Sequence, residues 1–152
     1  MSKQTRRTFL KTSLYTGATV AWTAKSWAQV QGANDTLQCG TVGFRSRGGS
    51  HISYINKNKA AKLTALCDVD SKVLNAGTSK HSVTGYTDIR QMLENKDLDV
   101  VTIATPNHWH SLAAIWAIQA GKDVYVEKPV SHNVWEGRQL VNAARKYKKI
   151  VQ

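Results

Sequence analysis

Cysteine and proline are scarce in this sequence, two of each in 152 residues, and acidic residues are few, 10 Asp and Glu against 21 Lys and Arg. Two cysteines exclude a small scaffold held together by disulfides. A hydrophobic content of 41% excludes a chain too polar to bury a core. The uncharged stretch Thr12 to Ala24 is broken by Thr, Ser and Gly and falls short of the roughly 20 apolar residues that a membrane-spanning helix needs, so no stable transmembrane anchor is expected. A chain of this length builds one core rather than two.

The excess of base is uneven. Residues 1–28 hold Lys3, Arg6, Arg7, Lys11 and Lys25 and no acid, which leaves 16 basic and 10 acidic residues in the other 124, without a continuous basic stripe. Thr5-Arg6-Arg7-Thr8-Phe9-Leu10-Lys11 followed by a weakly apolar stretch and by Ser26-Trp27-Ala28 is a twin-arginine export pattern with a cleavage site. An N-terminal amphipathic helix is the alternative, but Trp22 and Trp27 among scattered Thr and Gly give no clean helical stripe. The reading is a signal peptide over 1–28, a linker over 29–36, and a folded domain over 37–152 that is exported to the periplasm or another extracytoplasmic space.

From residue 37 onward, strand-like and helix-like segments alternate. Leu37–Val42, Lys62–Cys67, Val100–Ala104 and Asp123–Glu127 are apolar runs of strand length. Between them, Asp70 caps a predicted helix from Ser71 to about Lys80, and Thr87 or Asp88 caps one through Asn95. Asn107 caps a third that stops before a left-handed Gly121, with Leu112, Ile115 and Trp116 sharing a face. Asn133 with Glu136 opens a fourth along Leu140, Ala144 and Tyr147. Lys149–Gln152 begins a further strand. Repeated β-α units with short connections predict an α/β, Rossmann-type doubly wound parallel sheet, truncated at about the sixth strand. Cys39 and Cys67 lie at opposite ends of neighbouring strands, about four residues or roughly 13 Å out of step, so two buried free thiols are expected.

In such sheets, ligands bind where the strand order reverses, at the carboxyl ends of the strands. The turn Gly43-Phe44-Arg45-Ser46-Arg47-Gly48 is a damaged dinucleotide fingerprint: Gly43 and Gly48 fit its first and third glycines, but Arg45 puts a side chain at the second. Its guanidinium could compensate by bonding the pyrophosphate, and a turn that needs glycine only for geometry is the plainer alternative. Asp68, 20 residues past Gly48, can accept hydrogen bonds from the adenosine ribose, which favours NAD over NADP; Asp70 is assigned the helix cap. Thr105-Pro106-Asn107-His108-Trp109-His110 starts the third helix. Its two histidines, two apart, point about 200° from each other and cannot clasp one metal ion, so no metal is expected. Asn107 and His110 are read as a cap and cofactor-side donors. Pro129 holds Lys128 at the sheet mouth, where a buried ammonium would polarise a substrate hydroxyl; a surface lysine paired with Glu127 is the competing reading.

Together, Gly43-x-x-x-x-Gly48-x-x-His51, Cys67-Asp68-Val69-Asp70, the Thr105-to-His110 motif and Glu127-Lys128-Pro129 resemble the nucleotide domain of the glucose-fructose oxidoreductase, inositol dehydrogenase and rhizopine-catabolism (Gfo/Idh/MocA) family, over about Leu37 to Gln152. The resemblance implies hydride transfer between NAD(P) and a sugar, cyclitol or related polyol. It places Gly43, Arg45, Ser46 and Gly48 around the pyrophosphate, Asp68 at the adenosine ribose, and Asn107, His110 and Glu127 at the nicotinamide half. Thr105 and Pro106 belong to that same cofactor-binding turn, and Lys128 would orient the reacting hydroxyl. Family members continue into a second α/β domain that supplies the substrate wall and a catalytic histidine. The expectation is therefore that this chain alone is catalytically incomplete, binds dinucleotide weakly, and associates with further copies through its exposed sixth-strand edge. An exported, non-catalytic nucleotide- or carbohydrate-binding module is the competing class. Nucleic-acid binding, resting on Arg145, Lys146, Lys148 and Lys149 near the end of the last helix, is disfavoured because cations there complement the helix dipole.

Overall fold

The computed structural model describes residues 36–152; the proposed signal and all but the last residue of the linker lie outside that range. The described residues fold as β1 (Leu37–Val42), α1 (Arg47–Lys57), β2 (Ala61–Cys67), α2 (Ser71–His81), β3 (Thr84–Tyr86), α3 (Ile89–Leu93), β4 (Val100–Ile103), α4 (Asn107–Gln119), β5 (Asp123–Val126) and α5 (Val134–Tyr147). Every strand pairing is parallel, and the sheet order is β3-β2-β1-β4-β5. Val151 makes a parallel bridge to Val124, where a sixth strand begins beside β5. This is a Rossmann-type α/β fold, and its strand order reverses between β1 and β4.

Side-chain alternation along the strands feeds two cores. On one face, Cys39, Leu63 and Leu66 meet Ile52, Ile55 and Leu74 from α1 and α2. On the other, Ala65, Val101, Ile103, Val124 and Val126 meet Met92, Leu93, Ala113, Ala114, Ala117, Ile118 and Leu140 from α3, α4 and α5. Two sheathed faces are what a parallel sheet requires. At its centre the hydroxyls of Thr41 and Thr102, neighbours across β1 and β4, satisfy each other at 2.9 Å.

The helix caps follow the local chemistry. Asp70 accepts from the backbone N–H groups of Lys72 and Val73, Asp88 from that of Arg90, and Asn133 from that of Glu136. Gly121 adopts the left-handed φ of +79° expected beyond α4. One expectation needs correction. Pro106, not Asn107, occupies the cap position of α4, making Asn107 the first helical residue and leaving it exposed. The face of α4 that enters the core is the stripe His110, Ala113, Ala114, Ala117 and Ile118; Ile115 and Trp116 only flank it and Leu112 is 42% exposed. Small side chains let the helix lie close to the sheet, so the larger ones fall to its rim. β3, three residues long, is too short for its alternation to register. Both cysteines are buried and unbridged: Cys39 stands opposite Leu63 in the sheet, four residues before Cys67. Burial raises both thiol pKa values, that of Cys67 to about 12, and so keeps the thiols neutral.

The two glycines that open α1 make a discriminating pair. A β-carbon on Gly48 would lie 2.0 Å from the Gly43 carbonyl oxygen, whereas one on Gly49 meets Phe44 O at an ordinary 3.5 Å. Gly48→Ala should therefore destabilise the domain by about 1–3 kcal/mol or more, while Gly49→Ala, inside the helix, should stabilise it by roughly 0.5–1 kcal/mol. Urea unfolding of the two variants beside the parent chain measures both signs.

Candidate functional site

The carboxyl ends of β1, β4 and β5 stand side by side, and the loops leaving them are tied together. Gly43, at a φ of +72°, donates its N–H to Cys67 O at 2.8 Å and packs against Ala104 and Thr105 at the end of β4. That conformation and that closeness both suit glycine. Gly48 then brings the first turn of α1 against the end of β1. Ser46 holds the cap position of α1 but makes no side-chain cap bond, and the first turn contains no acid. Gly49 N–H is taken by Ser46 O at 3.0 Å, while the N–H groups of Arg47 and Gly48 have no side-chain cap, an arrangement suited to an anion.

Asp68 is fixed by both neighbouring loops. Its Oδ2 accepts from Phe44 N at 3.3 Å and its Oδ1 from Asp70 N at 3.0 Å, which steers the carboxylate to the end of β2 beside the glycine turn. Arg45 is largely exposed and pairs with Asp70. Its guanidinium turns to Asp70, the residue that caps α2.

A second tie crosses from α1 to β5. Glu127 Oε1 accepts from Arg47 Nε at 2.8 Å and lies 2.9 Å from His51 Nε2, on a helix face where His51 is 5% exposed. The ring of His51 meets Tyr125 edge-on at 5.2 Å. Hydrogen bonds from Arg47 and then His51 hold the Glu127 carboxyl down at about 2. His51 Nδ1 and Thr105 Oγ1 are buried without a hydrogen-bond partner. The sequence motif contained His51, and what it lacked was any sign that His51 and Arg47 meet Glu127, since those contacts span 76 and 80 residues.

His110 is placed differently from expectation. It is 2% exposed, with Nδ1 2.6 Å from Pro129 O and Nε2 2.7 Å from Thr105 O, so both ring nitrogens are spent on backbone carbonyls. It joins the β4 and β5 loops from beneath instead of donating to a cofactor. Ser111 reinforces the join by donating to Val130 O at 3.1 Å. Lys128 is exposed, not buried, and the Lys128–Pro129 peptide is cis. None of the carboxylates among the described residues is within ion-pairing distance of Lys128, so the Glu127 pair considered from sequence does not form: Glu127 is taken by α1. Asn107 and Pro106 are exposed at the mouth and Thr105 is half-buried.

A groove of about 610 Å³ lies between α1 and α2, lined by Phe44, Arg45, Ile52, Val73, Gly77 and Lys80. It opens at the glycine turn, through Phe44 and Arg45, and runs from there along the helical flank, so strand order and bonding, not volume, locate the crevice. Among the described residues there is no cluster of three or more metal-binding side chains, and no helix is long and apolar enough to cross a membrane.

The geometry defines a dinucleotide-binding domain. The glycine cradle, the uncapped start of α1, the steered Asp68 carboxylate and the orphaned Thr105 hydroxyl suit a nucleotide diphosphate laid across the switch point. Residues 37–152 match the oxidoreductase family described as a NAD-binding Rossmann fold, and the chain belongs to that Gfo/Idh/MocA family. It is 33% identical, over 95% of its length, to a "Glycosyl hydrolase family 109 protein" of Solibacter usitatus, of which it covers 37%. It is similar in structure to the WlbA dehydrogenase of Chromobacterium violaceum, solved with NADH and UDP-GlcNAcA, at a TM-score of 0.75 and 28% identity, over 78% of this chain and 35% of that one. Myo-inositol 2-dehydrogenase of Lactobacillus plantarum gives 0.73 and 27%, over 78% and 36%. The chain thus spans little more than a third of these relatives.

The Glu127 tie predicts a pH dependence. Because its folded pKa, about 2, lies below the ordinary 4.5, the stabilisation is complete above about pH 4.5 and is lost as pH falls through about 2. Stability of the parent chain should drop across that window by on the order of 1–2 kcal/mol more than that of Glu127→Gln, allowing for solvent screening around Arg47. Parallel slopes for the two proteins in denaturant titrations at pH 5 and pH 2.5 would contradict the tie.

Proposed function

We propose that this domain serves an enzyme that moves hydride between a nicotinamide dinucleotide, NAD in preference to NADP, and a hydroxyl-bearing carbon of a sugar, cyclitol or related polyol. The observation that carries the reading is the ammonium of Lys128, exposed at the end of β5 with no carboxylate partner among the described residues, while its neighbour Glu127 is committed to α1. The dinucleotide supplies a hydride acceptor or donor when it is bound.

What the chain itself does is hold and polarise. The N–H groups of Arg47 and Gly48 at the start of α1 bind the diphosphate, and Asp68 accepts from the adenosine ribose hydroxyls, which underlies the preference for NAD. Lys128 would donate a hydrogen bond to the reacting hydroxyl oxygen and stabilise the negative charge that grows there as its proton passes to a base outside the described residues. Glu127 keeps Lys128 in place, because its carboxylate Oε2 accepts from the Lys128 backbone N–H at 3.3 Å.

The names of the curated relatives favour a second reading of the same site: cleavage of a glycosidic bond through transient oxidation of the sugar ring, with no net change in cofactor redox state. Polyol oxidation accumulates NADH in step with product, whereas this route releases free sugar and none. For either reading, Lys128→Met in the full-length protein should lower kcat by about 10²–10³-fold. Saturable NADH binding by the 152-residue chain, followed by cofactor fluorescence, tests the common foundation; its absence would contradict both. Binding without turnover in the full-length protein would point to an exported, non-catalytic module.

Residues 1–28 are read as a twin-arginine signal that exports the domain already folded. Replacing both Arg6 and Arg7 with Lys should abolish export to the periplasm, as measured by cell fractionation. Unchanged export would contradict the assignment.

A further inference from the structure

Arg45 replaces the second glycine of the dinucleotide turn, and its side chain does not cross that turn. The backbone at Arg45 is outside the left-handed region, so the position accepts a side chain without strain, and the guanidinium reaches Asp70 on the next loop. Asp70 thus has two tasks: its Oδ1 caps α2 through the N–H groups of Lys72 and Val73, and its Oδ2 holds Arg45. Between these partners sits Asp68, pinned by Phe44 N and Asp70 N at the corner where an adenosine ribose would lie. The other arginine of the turn, Arg47, is drawn off to Glu127 at 2.8 Å. Two carboxylates and one guanidinium leave this corner with a net negative charge, and neither arginine of the turn is uncommitted.

We propose that Asp70 is a specificity-determining residue: by holding Arg45 it withholds the cation that a ribose 2′-phosphate would need. This rests on the reading of the crevice as a dinucleotide site. An unphosphorylated ribose only donates hydroxyl hydrogen bonds to Asp68 and meets no penalty. A 2′-phosphate brings close to two negative charges to a corner already negative. Removing the Asp70 charge reverses the situation, because an arginine that loses its carboxylate is well shaped to fork onto a phosphate. Asp70→Asn is the informative change: asparagine remains a good helix cap but carries no charge to retain the guanidinium.

The experiment is fluorescence titration of NADH and NADPH into the 152-residue chain and its variants at one fixed low salt concentration. The parent chain should bind NADH at least about tenfold more tightly than NADPH, and Asp70→Asn should narrow that ratio at least about fivefold, mainly through tighter NADPH. In Arg45→Ala/Asp70→Asn the ratio should return to the parent value. Equal affinities in the parent, a ratio in Asp70→Asn within twofold of it, or a gain that survives in the double variant and therefore belongs to Lys72, would each overturn the proposal. Should Asp70→Asn fail to fold by circular dichroism, Arg45→Ala decides. It should sharpen the preference for NADH about threefold or more by exposing Asp70, and an equal loss of both nucleotides would instead put Arg45 on the pyrophosphate. If the parent binds neither nucleotide, the dinucleotide reading itself fails, an outcome separate from a flat ratio.

Discussion

The first turn of α1 lies so close to the end of β1 that no side chain fits between them. Gly48 meets the Gly43 carbonyl where a β-carbon would collide, and Gly43 in turn is pressed against Ala104 and Thr105 at the end of β4. This contact sets the direction of α1, and with it the place to which the uncapped N–H groups of that helix point. It also falls at the one position in the sheet where successive crossovers diverge, between β1 and β4, so that the loops above it open a crevice instead of covering it.

Around that contact, polar side chains serve mainly as ties among loops. Glu127 fastens β5 to α1, His110 fastens the β4 loop to the β5 loop, and Asp68 fastens the β1 loop to the β2 loop. The ties of Glu127 and His110 take up groups that sequence alone would place at a ligand, and each leaves a neighbour free. The commitment of Glu127 leaves Lys128 without a counter-ion, and the inward turn of His110 leaves the mouth to Thr105, Pro106 and Asn107. A rigid edge with few uncommitted groups is an economical way to orient a large cofactor and a small reacting centre.

The fold was legible because its main signals are local. Four of the five strands are apolar runs, the caps at Asp70, Asp88 and Asn133 act within three residues, and Gly121 ends α4 where expected. What escaped the sequence is non-local or depends on volume. The buried face of α4 is its alanines, because closeness to the sheet outweighs hydrophobic bulk, and β3 is too short to show a pattern. Lys122, 5% exposed and donating to Asn95 O at 2.7 Å, looks in the sequence like any surface lysine; burial lowers its pKa while the carbonyls after α3 receive it. At the site, the positions of Gly43, Gly48 and Asp68 followed from motif spacing. The inward turn of His110 and the commitment of Arg47 and His51 did not, since their partners arrive from distant parts of the chain.

Mapping backbone amide shifts on adding NAD⁺ to the isotope-labelled chain addresses the shared crevice most directly. Perturbations should converge on Gly43 to Gly49, Asp68, Thr105, Asn107, Glu127 and Lys128 while sparing the far ends of the strands. Shifts confined to the helical flank of the groove, Ile52 to Lys57 and Val73 to His81, or scattered without reaching both the β1 and β5 loops, would contradict a common dinucleotide site.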